Sequence, residues 1–142
     1  MAVFKHLSFS SLSAGLAATA KEINESKFQL VLQKVAMEAL TRLVMKTPVD
    51  SGRARGNWQV TLGSPSTEYD SDKTDDKGSG TIWEGADTIA DAPRYGVIWI
   101  SNNVPYIERL ENGWSGQAPN GMAQLTVDEL KTMFARPTVG DD

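Results

Sequence analysis

One segment, residues 26–46, constrains the fold of this chain more than any other. Its apolar side chains recur at the 3.6-residue period of an α-helix and line a single face: Phe28, Val31, Leu32, Val35, Ala39 and Leu43. Ser26 is a candidate N-cap, and Pro48 disfavours helical geometry at the residue before it, so the pattern predicts a helix from about Ser26 to Lys46. A helix with one apolar face must bury that face against a second layer, which the rest of the chain has to supply.

The remaining chain predicts two short strands and three further helices. Residues 57–63 alternate apolar and polar side chains, as in a half-buried strand, and residues 95–101 indicate a strand covered on both faces. Residues 81–92 favour a short helix over a strand, and residues 104–112 and 121–135 are typical of helices. These elements predict an α+β fold in which a small antiparallel sheet packs against the long N-terminal helix and a C-terminal helix.

The same periodicities predict the core. Twelve side chains are expected to be mostly buried: Phe28, Val31, Leu32, Val35, Leu43, Trp58, Val60, Ile98, Ile100, Leu110, Leu125 and Leu130. Trp99 lies on a predicted strand and is expected in the core as well. Trp83 and Trp114 lie beside polar, glycine-containing segments, and we expect both at the surface, where tryptophan is typical of protein interfaces.

A chain of 142 residues is long enough for one domain with a hydrophobic core. We expect an N-terminal arm with a short helix over residues 1–25, a single α+β domain over residues 26–137 and a tail over residues 138–142. Residues 64–80 contain few apolar side chains and many Ser, Asp, Lys and Gly. This composition predicts a long flexible loop that becomes ordered only against a neighbouring subunit or ring.

Composition excludes several classes of site. The chain has no cysteine and one histidine, His6, so disulfides, zinc–thiolate sites and multi-histidine metal sites within one chain are excluded. Asp and Glu outnumber Lys and Arg by 18 to 14, giving a net charge of -4, which argues against a protein that coats nucleic acid. No apolar run approaches the roughly 20 residues of a membrane-spanning helix, so we expect no membrane partner.

Three patterns resemble catalytic or metal sites, and each departs from its template. Residues 113–117 resemble a serine-hydrolase nucleophile elbow but end in Gln where the motif has Gly. The acidic residues 70–76 lack the ligand spacing of a calcium loop, so a solvated loop is favoured. Glu108 and Glu111 lack an accompanying nucleophile, and a surface charge or an intersubunit salt bridge is favoured for them. We therefore expect no enzyme activity and no cofactor.

Two arginines, Arg53 and Arg55, lie in a short glycine-flanked segment from Asp50 to Gly56. Two guanidinium groups in a rigid turn suit a carboxylate or phosphate partner. An ion pair with Asp50 or Glu108 is an equally open alternative. Both alternatives give the arginines a structural role and no chemical one.

Two longer stretches carry a family resemblance. The first motif is residues 47–59, TPVDSGRARGNWQ, and the second motif is residues 102–122, NNVPYIERLENGWSGQAPNGM. Together, in this order and with a long helix before them, they resemble the minor tail protein Z-like family of long-tailed phages, also called tail-completion or neck proteins. The resemblance covers about residues 26–135, and two long motifs at the right separation make a chance match improbable.

The resemblance implies a non-enzymatic structural protein of the virion, at the neck where tail joins head, after assembly in the host cytoplasm. It implies a homo-oligomeric ring, which we expect to have six subunits, with head-completion and tail-tube or terminator proteins as neighbours. DNA would only pass through the lumen. The alternative is a tail-assembly chaperone or binding module that is absent from the mature particle.

We expect the two motifs to form one continuous surface that serves structure or assembly. Each motif combines rigid turn residues with charged groups, which suits arginine–carboxylate contacts within a subunit or across a ring interface. The residues expected to matter are Asp50, Arg53, Arg55, Tyr106, Glu108, Arg109, Glu111 and Trp114.

Overall fold

A computed structural model describes residues 6–8 and 25–134 of the chain, with side chains from residue 27 onward. The elements follow in the order β1 (His6–Ser8), α1 (Glu25–Lys46), α2 (Arg53–Gly56), β2 (Gln59–Leu62), α3 (Ser79–Ala90), β3 (Ile98–Ser101), α4 (Ile107–Glu111) and α5 (Ala123–Phe134). The predicted α+β class is confirmed. The predicted helix near the N-terminus and the tail over residues 138–142 lie outside the described residues.

The sheet is antiparallel, with the strand order β1–β3–β2. Val60 of β2 and Leu7 of β1 both lie opposite Ile100 of β3, one on each side. We predicted that the first residues form an arm, and within it residues 6–8 add an edge strand to β3. Ser26 is not the N-cap of the long helix, since α1 begins at Glu25.

The long helix organises the core, as its periodicity predicts. Leu40, Leu43 and other apolar side chains of α1 are fully buried, and α1 packs against both α3 and α5. The helix α3 packs in turn against β2. Gly85 makes this close approach possible, because a Cβ at this position would lie 2.3 Å from Leu40 Cδ2 and 2.9 Å from Val60 Cγ2.

Most of the predicted core side chains are buried. Those that are only half-buried are Phe28, Val31, Val60 and Leu125. Trp83 and Trp114 are 72% and 73% exposed, as predicted. Trp58 is buried, but Trp99 is only half-buried, and its indole N–H donates to Gly63 O at 3.0 Å. The prediction for Trp99 is wrong because its neighbours on β3 point into the core and Trp99 points to the opposite face.

The segment between β2 and α3 is held by amide side chains from elsewhere in the chain. The Asn57 amide accepts from the backbone N–H of Asp70 at 3.0 Å and donates to its carbonyl oxygen at 3.0 Å. The Asn103 amide donates to the carbonyl oxygens of Ser66 and Glu68 at 2.9 and 3.0 Å. These contacts connect residues 66–70 to the same chain, whereas the mobility predicted for residues 64–80 in the free protein stays a prediction. Polar side chains supply the stabilisation that apolar residues do not.

Asp75 fixes the end of this segment to the start of α3. One carboxylate oxygen accepts from the backbone N–H of Gly78 at 2.9 Å. The other accepts from the backbone N–H and the hydroxyl of Thr81 at 2.8 and 2.7 Å. Burial raises the pKa of Asp75. The hydrogen bonds from Thr81 and Gly78 together lower it by more than burial raises it, so the pKa lies below its ordinary value of 3.8. The folded state therefore favours the charged carboxylate.

We expect the amides of residues 73–82 in the isolated protein to be protected from hydrogen exchange at neutral pH. The pKa of Asp75 is lower in the folded state than in the unfolded state. Asp75 therefore stabilises the fold fully when the pH is above its unfolded-state pKa, and this stabilisation is lost as the pH falls through its folded-state pKa. Asp75→Asn should reduce protection at neutral pH and remove the additional acid sensitivity. Asp72→Asn is the control, since Asp72 is exposed. Equal protection in the two variants would contradict this role of Asp75.

Candidate interaction site

The two motifs enclose one cavity of about 380 Å³. Residues 48–54 of the first motif form one wall, and the second motif forms the other with Tyr106, Arg109, Leu110, Trp114, Ser115 and Gln117. Every lining residue therefore belongs to one of the two motifs, although they are far apart in the sequence. Of the eight residues expected to matter, five line this cavity: Asp50, Arg53, Tyr106, Arg109 and Trp114.

Arg55 closes the end of α1 and does not face the cavity. Its guanidinium group donates to Thr47 O from two nitrogens, at 2.8 and 3.2 Å, and to Met45 O at 3.1 Å. It also donates to Asp76 O at 2.9 Å, which ties the segment before α3 to the first motif. Within the described residues Arg55 forms no ion pair with Asp50 or Glu108, so that alternative is wrong, and its guanidinium donors contact backbone carbonyl groups.

Buried hydrogen bonds connect the start of the first motif to the core. The hydroxyl of Thr47 donates to Leu43 O at 2.6 Å and accepts from the indole N–H of Trp58 at 2.7 Å. The chain then turns at Gly52, whose φ of 85° favours glycine. A Cβ at Gly52 would lie 2.8 Å from the backbone nitrogen of Asp76. The first wall of the cavity is thus fixed both to the core and to the segment before α3.

The second motif is joined to the first by Gln117, a residue that we did not predict from the sequence. Its amide nitrogen donates to Val49 O at 3.0 Å, and its amide oxygen accepts from Val49 N–H at 2.9 Å. These bonds imitate the pairing of two backbone strands and hold the walls together. The only sequence signal was a polar residue inside the second motif.

Glu111 organises the start of α5. One carboxylate oxygen accepts from the backbone N–H groups of Met122 and Ala123 at 2.9 and 2.8 Å, and the other accepts from Gln124 N–H at 3.0 Å. A carboxylate at this position satisfies free N–H groups and interacts favourably with the helix dipole. The surface charge or intersubunit salt bridge favoured for Glu111 is therefore wrong. Glu108 lies on α4 together with Glu111, but it does not line the cavity.

We expect Glu111→Ala to lower the free energy of unfolding by about 2 kcal/mol, because three N–H groups at the start of α5 lose their acceptor. Glu108→Ala is the matched control. Glu108 forms no side-chain hydrogen bond or ion pair within residues 27–134, so its loss should change the free energy by less than about 0.5 kcal/mol. Urea denaturation of the three proteins measures both values. Equal losses would show that the capping contacts contribute little.

Arg109 and Trp114 form a cation–π pair at the cavity. The guanidinium carbon of Arg109 lies 5.4 Å from the centre of the Trp114 ring, within the range of a cation–π interaction. Both side chains are exposed. The pair thus presents a charge and an aromatic surface together.

Arg53 and Tyr106 lie at the more buried part of the cavity. Burial raises the pKa of Tyr106 above its ordinary value of 10.0, and the charge and hydrogen bond of Arg53 oppose that rise. The Nε atom of Arg53 is buried and has no hydrogen-bond partner among the described residues. Within the described part of the chain, Arg53 forms no ion pair with Asp50 or Glu108, so this alternative is wrong and an external partner remains a prediction.

The arrangement suits binding through charge, hydrogen bonds and stacking. In the described part of the chain, no group of three or more His, Cys, Asp or Glu side chains could hold a metal ion. None of the described helices has the length and apolar character needed to span a membrane.

Comparisons with protein-family models, curated proteins and solved structures give no match for this chain. The resemblance carried by the two motifs therefore stays a prediction.

Proposed function

We propose that this protein is a structural component of a tailed-phage virion and acts at the neck as a tail-completion ring. In this proposal identical subunits, six in number, join the tail to the head and leave a passage for DNA. One observation carries the proposal. The two motifs that resemble the phage family come together in the fold and supply every residue that lines the cavity.

The surface properties of the chain support this role. Trp83 and Trp114 are 72% and 73% exposed, and tryptophan side chains are enriched among the residues that dominate binding energy at protein interfaces. The net charge of -4 suits a ring through which DNA passes, because an acidic lumen does not retain the phosphate backbone. The proposed neighbours are the head-completion proteins and the tail-tube or terminator proteins.

Deletion of the gene from the phage that encodes it tests the proposal. We expect the lysate to contain filled heads and separate tails, and purified protein added to that lysate should restore joined, infectious particles. Mass spectrometry of purified wild-type virions should find about six copies per particle. Normal infectious particles without the protein would contradict the proposal. Absence of the protein from virions would favour the tail-assembly chaperone.

The variants Trp114→Ala and Arg109→Ala test whether the cavity surface is needed to join head and tail. Both side chains are exposed, so both variants should fold, yet we expect them to restore few joined particles when added to the deletion lysate. Leu30→Ala is the matched control, because Leu30 is 65% exposed and does not line the cavity. Full restoration by all three variants would show that the cavity surface does not join head and tail.

A further inference from the structure

We infer that the cavity binds a carboxylate side chain on a peptide segment of a partner protein. Arg53 and Arg109 would hold the carboxylate, and Trp114 would pack against an apolar residue beside it. The inference rests on the proposed function for the place of the partner, a neighbouring protein of the neck.

Arg53 has an unsatisfied hydrogen-bond donor. Its Nε–H is buried and lacks an acceptor among the described residues. A buried donor without an acceptor costs free energy, and buried polar groups in folded proteins nearly always have a partner. Arg53 lines the cavity, but its Nε is closed to water-sized molecules, so a ligand there would supply the missing acceptor only after the Arg53 side chain turns toward it. A carboxylate fits best, because its two oxygens match the paired N–H groups of a guanidinium.

Arg109 is a second cationic side chain that lines the cavity. Its guanidinium carbon lies 5.4 Å from the centre of the Trp114 ring, and it forms no ion pair in the described part of the chain. A cation–π contact does not use the N–H groups as hydrogen-bond donors to an acceptor atom, so they can still donate to a ligand. The cavity therefore has two cationic groups that can share one carboxylate.

The charges around the cavity favour a peptide carboxylate over a nucleic-acid phosphate. Asp50 lines the same cavity, and the chain carries a net charge of -4, so a polyanion is repelled. Val49, Ala54 and Leu110 add apolar surface to the walls. A single carboxylate with an apolar neighbour matches this combination, whereas a phosphate backbone is bound by surfaces rich in Lys and Arg.

The cavity is also formed before any ligand arrives. The two hydrogen bonds between Gln117 and Val49 join its walls, and the turn at Gly113 fixes the chain next to Trp114. A preformed site loses less conformational entropy on binding than a flexible one. A short segment can therefore bind without a large interface.

The test uses the purified full chain, labelled with ¹⁵N, and four probes. These are a blocked pentapeptide with one glutamate between two leucines, the same peptide with glutamine, inorganic phosphate and a short DNA duplex. We expect the glutamate peptide to shift the Arg53 Nε–H and Trp114 indole N–H signals saturably, with affinity at least about tenfold above that of the glutamine peptide. Arg109→Gln should weaken this binding about tenfold, and Arg94→Gln, outside the cavity, should leave it unchanged.

Three results would overturn the inference. They are equal affinity for the two peptides, binding of phosphate or DNA as tight as that of the glutamate peptide, and no shift with any probe. The titration uses the isolated protein, so a negative titration would not change the phenotype expected for the deletion phage. Conversely, a normal deletion phenotype would contradict the proposed function while peptide binding could still be observed.

Discussion

Replacing Gly113 with alanine is expected to lower the free energy of unfolding by about 3 kcal/mol or more. Gly113 has a φ of 86°, where an L side chain is strained, and a Cβ would lie 2.4 Å from Pro119 O. That oxygen belongs to the backbone, so it cannot move aside by a change of rotamer. The substitution should displace the turn between α4 and residue 119 and with it one wall of the cavity. Urea denaturation measures the loss.

Gly116→Ala is the matched control in the same loop. Its Cβ would meet nothing within 4 Å, and Gly116 is not among the glycines with positive φ. We expect a change of less than about 0.5 kcal/mol. A similarly small effect of Gly113→Ala would mean that the backbone at residue 113 can relax, and the described turn would not determine the shape of the cavity.

Arg55→Ala is expected to lower the free energy of unfolding by about 3 kcal/mol, because the carbonyl groups of Met45, Thr47 and Asp76 lose their donor. Arg55→Lys should recover less than half of the loss. Lysine keeps the charge but has a single nitrogen, which cannot reach all three carbonyl groups at once. Thermal and urea denaturation of the variants give the values.

Lys77→Ala controls for loss of a positive charge near the same segment. Lys77 is exposed, so its replacement should change the free energy of unfolding by less than about 0.5 kcal/mol. If Arg55→Ala were as mild as Lys77→Ala but still abolished head–tail joining, Arg55 would have to act on a partner and not on the end of α1.

The helices α1, α3, α4 and α5 and the central strand could be predicted because periodicity is a local property of the sequence, whereas α2 lies in a segment predicted as a turn. The contacts that order residues 64–78 could not, since they depend on amides that are distant in the sequence. The side-chain amides of Asn57 and Asn103 form hydrogen bonds with the backbone of that segment. The composition of the segment shows only that it lacks apolar side chains. The strand at residues 6–8 is too short to show an alternation, and only its pairing with β3 defines it.

The candidate site was predictable as a set of residues but not by role. Motif membership identified Arg53, Arg55, Glu111 and Trp114 together. Tertiary geometry then separates Arg55 and Glu111, which bind backbone groups at helix ends, from Arg53 and Trp114, which line the cavity. An arginine or a glutamate can serve either purpose, so residue type does not distinguish the two roles.

A density map of the neck of purified particles, at a resolution that shows side chains, tests the proposed function most directly. The account predicts a ring at the top of the tail whose subunits match the fold of residues 25–134, with an acidic side chain of a neighbouring protein between Arg53 and Arg109. A complete map of neck and tail in which no subunit matches this fold would contradict it.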